Sequence, residues 1–141
     1  MAKDNEKNAA NVNKLIQRAL EAPYNKMMGI KLLEADEGSV VLELELKKEY
    51  ANGIGITHGG VAASLCDAVM GFSAMTLEII PVTVEMKINY FLPVKTEGVL
   101  VAKGKVIKRG NRLIVAEGEI YHSSKLVAKG IGTYIVTNPR D

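Results

Sequence analysis

Two short stretches of the chain carry residue types that could do chemistry. His58-Gly59-Gly60 closes the glycine-rich segment YANGIGITHGG, and Asp67 follows within VAASLCDAVMGFSAMT, a run that is otherwise almost wholly apolar. That run is long enough for about four helical turns, so the tripeptide stands where a loop becomes a helix. The first N–H groups of a helix lack intrahelical acceptors and lie at its positive end. Glycines leave those amides open to close approach by a carbonyl oxygen. Donors placed in this way stabilise an oxyanion by roughly 3–4 kcal/mol in a transition state. These residues are equally compatible with a plainer reading, in which Gly59 and Gly60 let a sheet pack tightly over the helix start.

Asp67 is the more informative residue, flanked by Leu65, Cys66, Ala68 and Val69. A buried carboxylate without partners costs several kcal/mol or neutralises itself. A helix interior gives an aspartate no cap to make. A general base or a nucleophile fits such a position; so does an aspartate satisfied by a neighbouring strand or a partner subunit. Cys66 lies among small apolar residues with no base nearby, which favours packing. Ser64 and Ser73 read as helix hydroxyls bonded to carbonyls one turn back, and His122 as a surface residue beside a turn. Two histidines and one cysteine at these distances match no metal-ligand spacing, and no cofactor is implied. Gly53 and Gly55 hint at a dinucleotide fingerprint, but His58 occupies the place of its third glycine and no βαβ unit follows.

The elements that must position these residues follow from periodicity. Within residues 5–22, Val12, Leu15, Ile16, Ala19 and Leu20 recur at helical spacing, predicting an amphipathic helix that Pro23 closes. IKLLEAD and SVVLELELK predict two strands, the second alternating through Leu42, Leu44 and Leu46. The apolar run that contains Asp67 predicts a helix buried all round. Beyond Pro81 come VTVEMKINYFL, VLVAKGKVIK, RLIVAEGEIY and KLVAKGIGTYIV, read as four strands in three successive hairpins. The expected fold is therefore α+β, with one central helix wrapped by a curved antiparallel sheet of about six strands. An N-terminal helix (1–22) precedes a single domain (23–141).

Composition limits the function classes. Hydrophobic residues make up 48% and charged residues 24% of the 141 residues, enough for a real core and too apolar for disorder. The net charge of +2 and the scarcity of aromatics argue against nucleic acid. One cysteine cannot form an intramolecular disulfide. The polar opening MAKDNEKNAANVNK lacks a signal-peptide core, and no apolar run approaches the roughly 20 residues of a membrane span. A soluble, cytoplasmic protein is expected.

Asn52, His58-Gly59-Gly60 and Asp67, in the frame N-x5-H-G-G-x6-D, resemble the hotdog thioesterases of the phenylacetic-acid-degradation (PaaI-like) type. So do VTVEMKINYFLP and the closing A-x-G-x-G-T-Y from Ala128 to Tyr134. The similarity spans roughly residues 23–136. It implies hydrolysis of acyl-CoA thioesters by a dimer or a dimer of dimers. It further implies Asp67 as base or nucleophile, the Gly59 amide as oxyanion donor, Asn52 and His58 orienting the thioester, and Thr83 assisting the water. In many relatives the helix reads L-A-D where this chain has Leu65-Cys66-Asp67, and the gap from Asp67 to Thr83 is shorter than in some. Strict alternation, moreover, turns Thr83 away from its own chain's helix.

Gly59 and Asp67 lie eight residues apart, about 12 Å along a helix. Groups that act on one thioester carbonyl must lie about 3 Å from its atoms. One chain cannot offer both, so a shared site requires an oligomer, most simply a twofold dimer. The phosphates of coenzyme A call for a basic mouth, with Lys108, Arg109 and Arg112 the candidates, alongside Lys103, Lys105, Lys125 and Lys129. Gly60 joins them as a substrate-binding residue, and Met70, Phe72, Met75 and Met86 are expected walls for the acyl group. A non-catalytic acyl-CoA sensor and a hotdog dehydratase are the rival functions. The stretch before Gly29 is too short for a DNA-binding module, and HGG with Asp67 suits a dehydratase poorly.

Overall fold

The structure, a computed structural model, describes residues 1–139. Helix α1 (Ala2–Leu20) turns one apolar stripe inward, burying Ile16, with Val12, Ala19 and Leu20 against the core. Pro23 does more than end it. Its fixed φ and missing N–H suit a first helical turn, and it opens a second helix, α2 (Pro23–Met28), absent from the sequence expectation. Gly29, at φ 74°, stops α2 in the left-handed conformation that glycine adopts freely.

Strands β1 (Ile30–Asp36) and β2 (Ser39–Glu45) form the first hairpin. Then comes α3 (Gly59–Met75), followed by β3 (Pro81–Tyr90), β4 (Val99–Arg109), β5 (Leu113–His122) and β6 (Lys125–Val136). All six strands pair antiparallel in the order β1-β2-β4-β5-β6-β3 and curve around α3, the hotdog arrangement. One expectation fails here. β3 does not hairpin with β4; it crosses to the far edge and pairs with β6, while β4 pairs with β2. The link Phe91–Gly98 contains Pro93 and is too long for a tight turn, so nothing local forces the two strands together.

A row of glycines sets the distance between helix and sheet. Gly104, Gly118 and Gly130 stand in register on β4, β5 and β6. A methyl group on Gly104 would fall 2.4 Å from the Val69 carbonyl oxygen, and one on Gly130 would fall 2.7 Å from Cys66 Sγ. The helix rests directly on strand backbone there. Leu65, Cys66, Val69 and Met70 are fully buried on that side. The opposite side is not sealed, contrary to the all-round burial expected: Ser64, Asp67, Ala68 and Met75 remain partly open along one stripe.

β3 departs from strict alternation. Its register with β6 shifts between Thr83 and Glu85, the mark of a β-bulge. Met86 and Ile88 pack toward the core after the shift. Before it, Thr83 rather than Val82 turns toward α3, because the extra residue inverts the phase of the strand. The expectation that Thr83 faces away from its own helix is thereby corrected.

Candidate active site

His58 caps α3. Its Nδ1 accepts a hydrogen bond from the Gly60 N–H at 2.8 Å, taking up one of the amides that a helix start leaves free. An accepting Nδ1 places the ring proton on Nε2, which is left as a donor. Gly59, the first helical residue, has no intrahelical acceptor for its own N–H. Its carbonyl accepts from Tyr90 Oη at 2.7 Å. Asn52 anchors the preceding loop: its Oδ1 accepts from Ile54 and Ile56 N–H at 3.0 and 3.2 Å. Its amide NH2 has no partner among the described residues. Asn52, His58 and Gly59 line one cavity of about 340 Å³, with Ile56, Leu100 and Val127 among its apolar walls.

Asp67 opens elsewhere. Its Oδ1 accepts from Thr83 Oγ1 at 2.7 Å and from Tyr134 Oη at 2.8 Å. Its Oδ2 has no protein partner among the described residues, and it is not a buried atom. Asp67, Thr83 and Tyr134 line a second cavity, of about 220 Å³, with Phe72, Met75 and Tyr24. The two cavities have no residue in common. Tyr24, on α2, reaches over the open stripe of α3 to Ser64 Oγ at 2.5 Å. Ser64 in turn donates to the Gly60 carbonyl, and Ser73 to that of Val69, as expected of helix hydroxyls.

The electrostatics separate the candidate nucleophiles. Burial, and then the neighbouring Asp67 carboxylate, push the Cys66 thiol up to about 12. A fully buried thiol of that kind stays protonated and unreactive. The same two causes, burial first, hold the Tyr134 phenol above its ordinary range, so it remains a donor at any working pH.

Asn52, His58, Gly59 and Gly60 come together, and so do Asp67 and Thr83. Met70 is corrected: it is fully buried, packed over Gly118 and Gly132, and belongs to the core rather than to an acyl pocket. Phe72 and Met75 do line the cavity at Asp67. Lys108, Arg109 and Arg112 are exposed at the other end of the molecule from Gly59. Arg109 lines a separate cavity with Leu77 and Glu78, beyond the C-terminus of α3. Sequence reasoning gave no role to Tyr134, Tyr90 or Tyr24. Of these only Tyr134 had a signal, a lone aromatic ending a run of small residues. The described residues contain no group of three side chains able to hold a metal ion and no helix long and apolar enough to cross a membrane.

Residues 54–129 match the family model of the Thioesterase superfamily. The chain belongs to that superfamily. Human acyl-coenzyme A thioesterase 13 is 30% identical over 112 residues, 76% of this chain and 80% of that one. Among solved structures, the PaaI protein of the Escherichia coli phenylacetic acid degradation operon superposes with a TM-score of 0.85 over 95% of this chain and 96% of its own. At 23% identity it speaks for the fold. A hypothetical thioesterase protein from Streptococcus pneumoniae TIGR4, solved with coenzyme A, gives 0.75 at 28% identity, covering 79% and 91%. This superfamily member is a thioesterase.

Proposed function

We propose that the chain hydrolyses acyl-CoA thioesters to free acid and coenzyme A, at a site completed by a second copy of itself. The observation that carries this reading is the Asp67 carboxylate, with one oxygen held by two hydroxyl donors and the other open to a cavity. A relative named for acyl-coenzyme A and a structural neighbour holding coenzyme A support the substrate class.

In this reading Asp67 Oδ2 takes a proton from water as the oxygen of that water attacks the thioester carbonyl. The carbonyl oxygen becomes an oxyanion and is met by the Gly59 N–H at the start of α3, with Nε2–H of His58 and the Asn52 amide as further donors. The C–S bond then breaks, the thiolate of coenzyme A leaves, and the proton held by Asp67 returns to the sulfur. Thr83 steadies both the carboxylate and the water.

The second copy is required because Gly59 and Asp67 are about 12 Å apart along α3 and open into separate cavities. β3 supports a place for it. β3 is an edge strand, with Val82 and Val84 52% and 60% exposed. Long apolar edges of this kind invite another strand. A twofold pairing of β3 with its equivalent would set the two α3 helices antiparallel, Gly59 of one toward Asp67 of the other. Lys108, Arg109 and Arg112 stand as the cations available to the coenzyme A phosphates.

Thiol release from a panel of acyl-CoAs, measured for wild type and Asp67→Asn, tests the reading. Turnover by the wild type and a loss of about 100-fold or more in the variant are expected. Tight binding of acyl-CoA without thiol release would instead make the protein a sensor.

A further inference from the structure

We propose that Tyr134 is a positioning residue for this hydrolysis: by donating to Asp67 Oδ1, it leaves Oδ2 as the oxygen that takes the proton from water. The inference rests on the reading of Asp67 as the base.

The geometry of the phenol carries it. Tyr134 is 2% exposed, and its ring is slotted between Gly71 of α3 and Gly132 of its own strand, where methyl groups would come within 3.6 and 3.0 Å of ring carbons. Phenylalanine would fill that slot as well. The hydroxyl therefore needs its own reason, because a buried one costs free energy unless it is bonded. Both acceptors it meets belong to Asp67: the backbone oxygen at 3.0 Å and Oδ1 at 2.8 Å. A stitch between β6 and α3 would need only the first. The second binds the reactive group itself, and a ring fixed in a glycine slot cannot follow the carboxylate if it swings. Thr83, on the edge strand β3, donates to the same oxygen. Two donors on Oδ1 leave Oδ2 as the more basic and more accessible atom.

The surroundings give these hydroxyls their weight. The titratable and hydroxyl groups that share the cavity with Asp67 are Tyr134 from β6, Thr83 from β3, Ser64 from its own helix and Tyr24 from α2, while the neighbouring Cys66 points to the sheet. Among the described residues no cation lines the cavity, so hydroxyl donors rather than an ion pair hold the carboxylate.

Tyr134→Phe tests this in the full-length oligomer. Its kcat should fall roughly 10-fold with KM within about twofold of wild type, since the bond acts on the base and not on substrate binding. Adding Tyr134→Phe to Asp67→Asn should slow the reaction no further. A KM that rises as kcat falls, or an equal loss in the Asp67→Asn background, would overturn the proposal. Should Tyr134→Phe fold poorly, 3-fluorotyrosine placed at position 134 keeps the ring and strengthens the donor. The kcat of that variant should then stay near or above that of wild type, and a kcat about 10-fold lower counts against the idea. An Asp67→Asn variant that retains wild-type turnover would sink the base reading itself. An inactive Asp67→Asn beside a Tyr134→Phe of wild-type rate would sink only the positioning role.

Discussion

Gly59 and Asp67 stand on one helix, eight residues apart, and open into cavities that have no wall in common. A helix is too stiff to bring such residues together, so the proposed hydrolysis, which uses both, takes them from two chains.

Mixing two inactive variants measures this directly. Asp67→Asn and His58→Ala should each silence the homo-oligomer. In a mixed dimer one site collects both lesions and the other none. Random reassociation makes half of the dimers mixed, so roughly a quarter of wild-type activity should return. Subunit exchange is verified by mass-tagging one variant. Verified exchange with no recovery would place each site within one chain.

Gly59→Ala should cut kcat about 10-fold or more while leaving the melting temperature nearly unchanged. The added methyl comes 3.3 Å from Cζ and Oη of Tyr90, close enough to require a small shift of that half-exposed ring. It also narrows the approach to the Gly59 amide, the proposed oxyanion donor. Steady-state kinetics beside thermal melting separate the two effects. A variant with full kcat would remove this amide from the mechanism.

Much of that site was legible in the sequence, for a physical reason. An aspartate inside an apolar helix and two glycines at a helix start both break local rules, and rule-breaking is visible residue by residue. The partners of Asp67 were not visible. Tyr134 is 67 positions away, and Thr83 reaches Asp67 only because a bulge inverts the phase of β3. Alternation tells which residues share a face; it does not tell which strands are neighbours. For that reason the faces of β2 were read correctly, while β3 was assigned to the wrong neighbour. The short helix α2 escaped because its proline read as a stop, when it is also a start.

Alkaline pH should destabilise the protein progressively between about 9 and 12. The Cys66 thiol rises from 9.0 to about 12 on folding, so in that range the unfolded chain releases a proton that the folded one keeps. The stability linked to this group is fully present below 9 and is lost as pH climbs toward 12. Urea titrations at pH 8 and 10.5 should show it, and Cys66→Ala should flatten the dependence. Native Cys66 should also resist iodoacetamide at pH 8 until denaturant is added. Rapid alkylation of the folded protein would contradict its burial.

Gly104→Ala should destabilise the fold by about 2 kcal/mol or more, read from the urea midpoint at unchanged slope. The added methyl would lie 2.4 Å from the Val69 carbonyl oxygen and 2.5 Å from Ser73 Oγ, and helix backbone cannot yield cheaply. By contrast, Gly53→Ala, in the loop before α3 with no atom within 4 Å of the new methyl, should cost little. Equal midpoints for the two variants would refute the close seating of the helix.

That seating has a mechanical consequence. Where α3 crosses Gly104 its backbone meets the strand with no strand side chain between, so it cannot sink there to make room. α3 is the anvil of the enzyme. Acyl groups of different bulk would have to be accommodated from above, by the short helix that carries Tyr24 and by whatever closes the open stripe. Changes in substrate range should therefore be sought in those outer parts and not in the helix that holds Asp67.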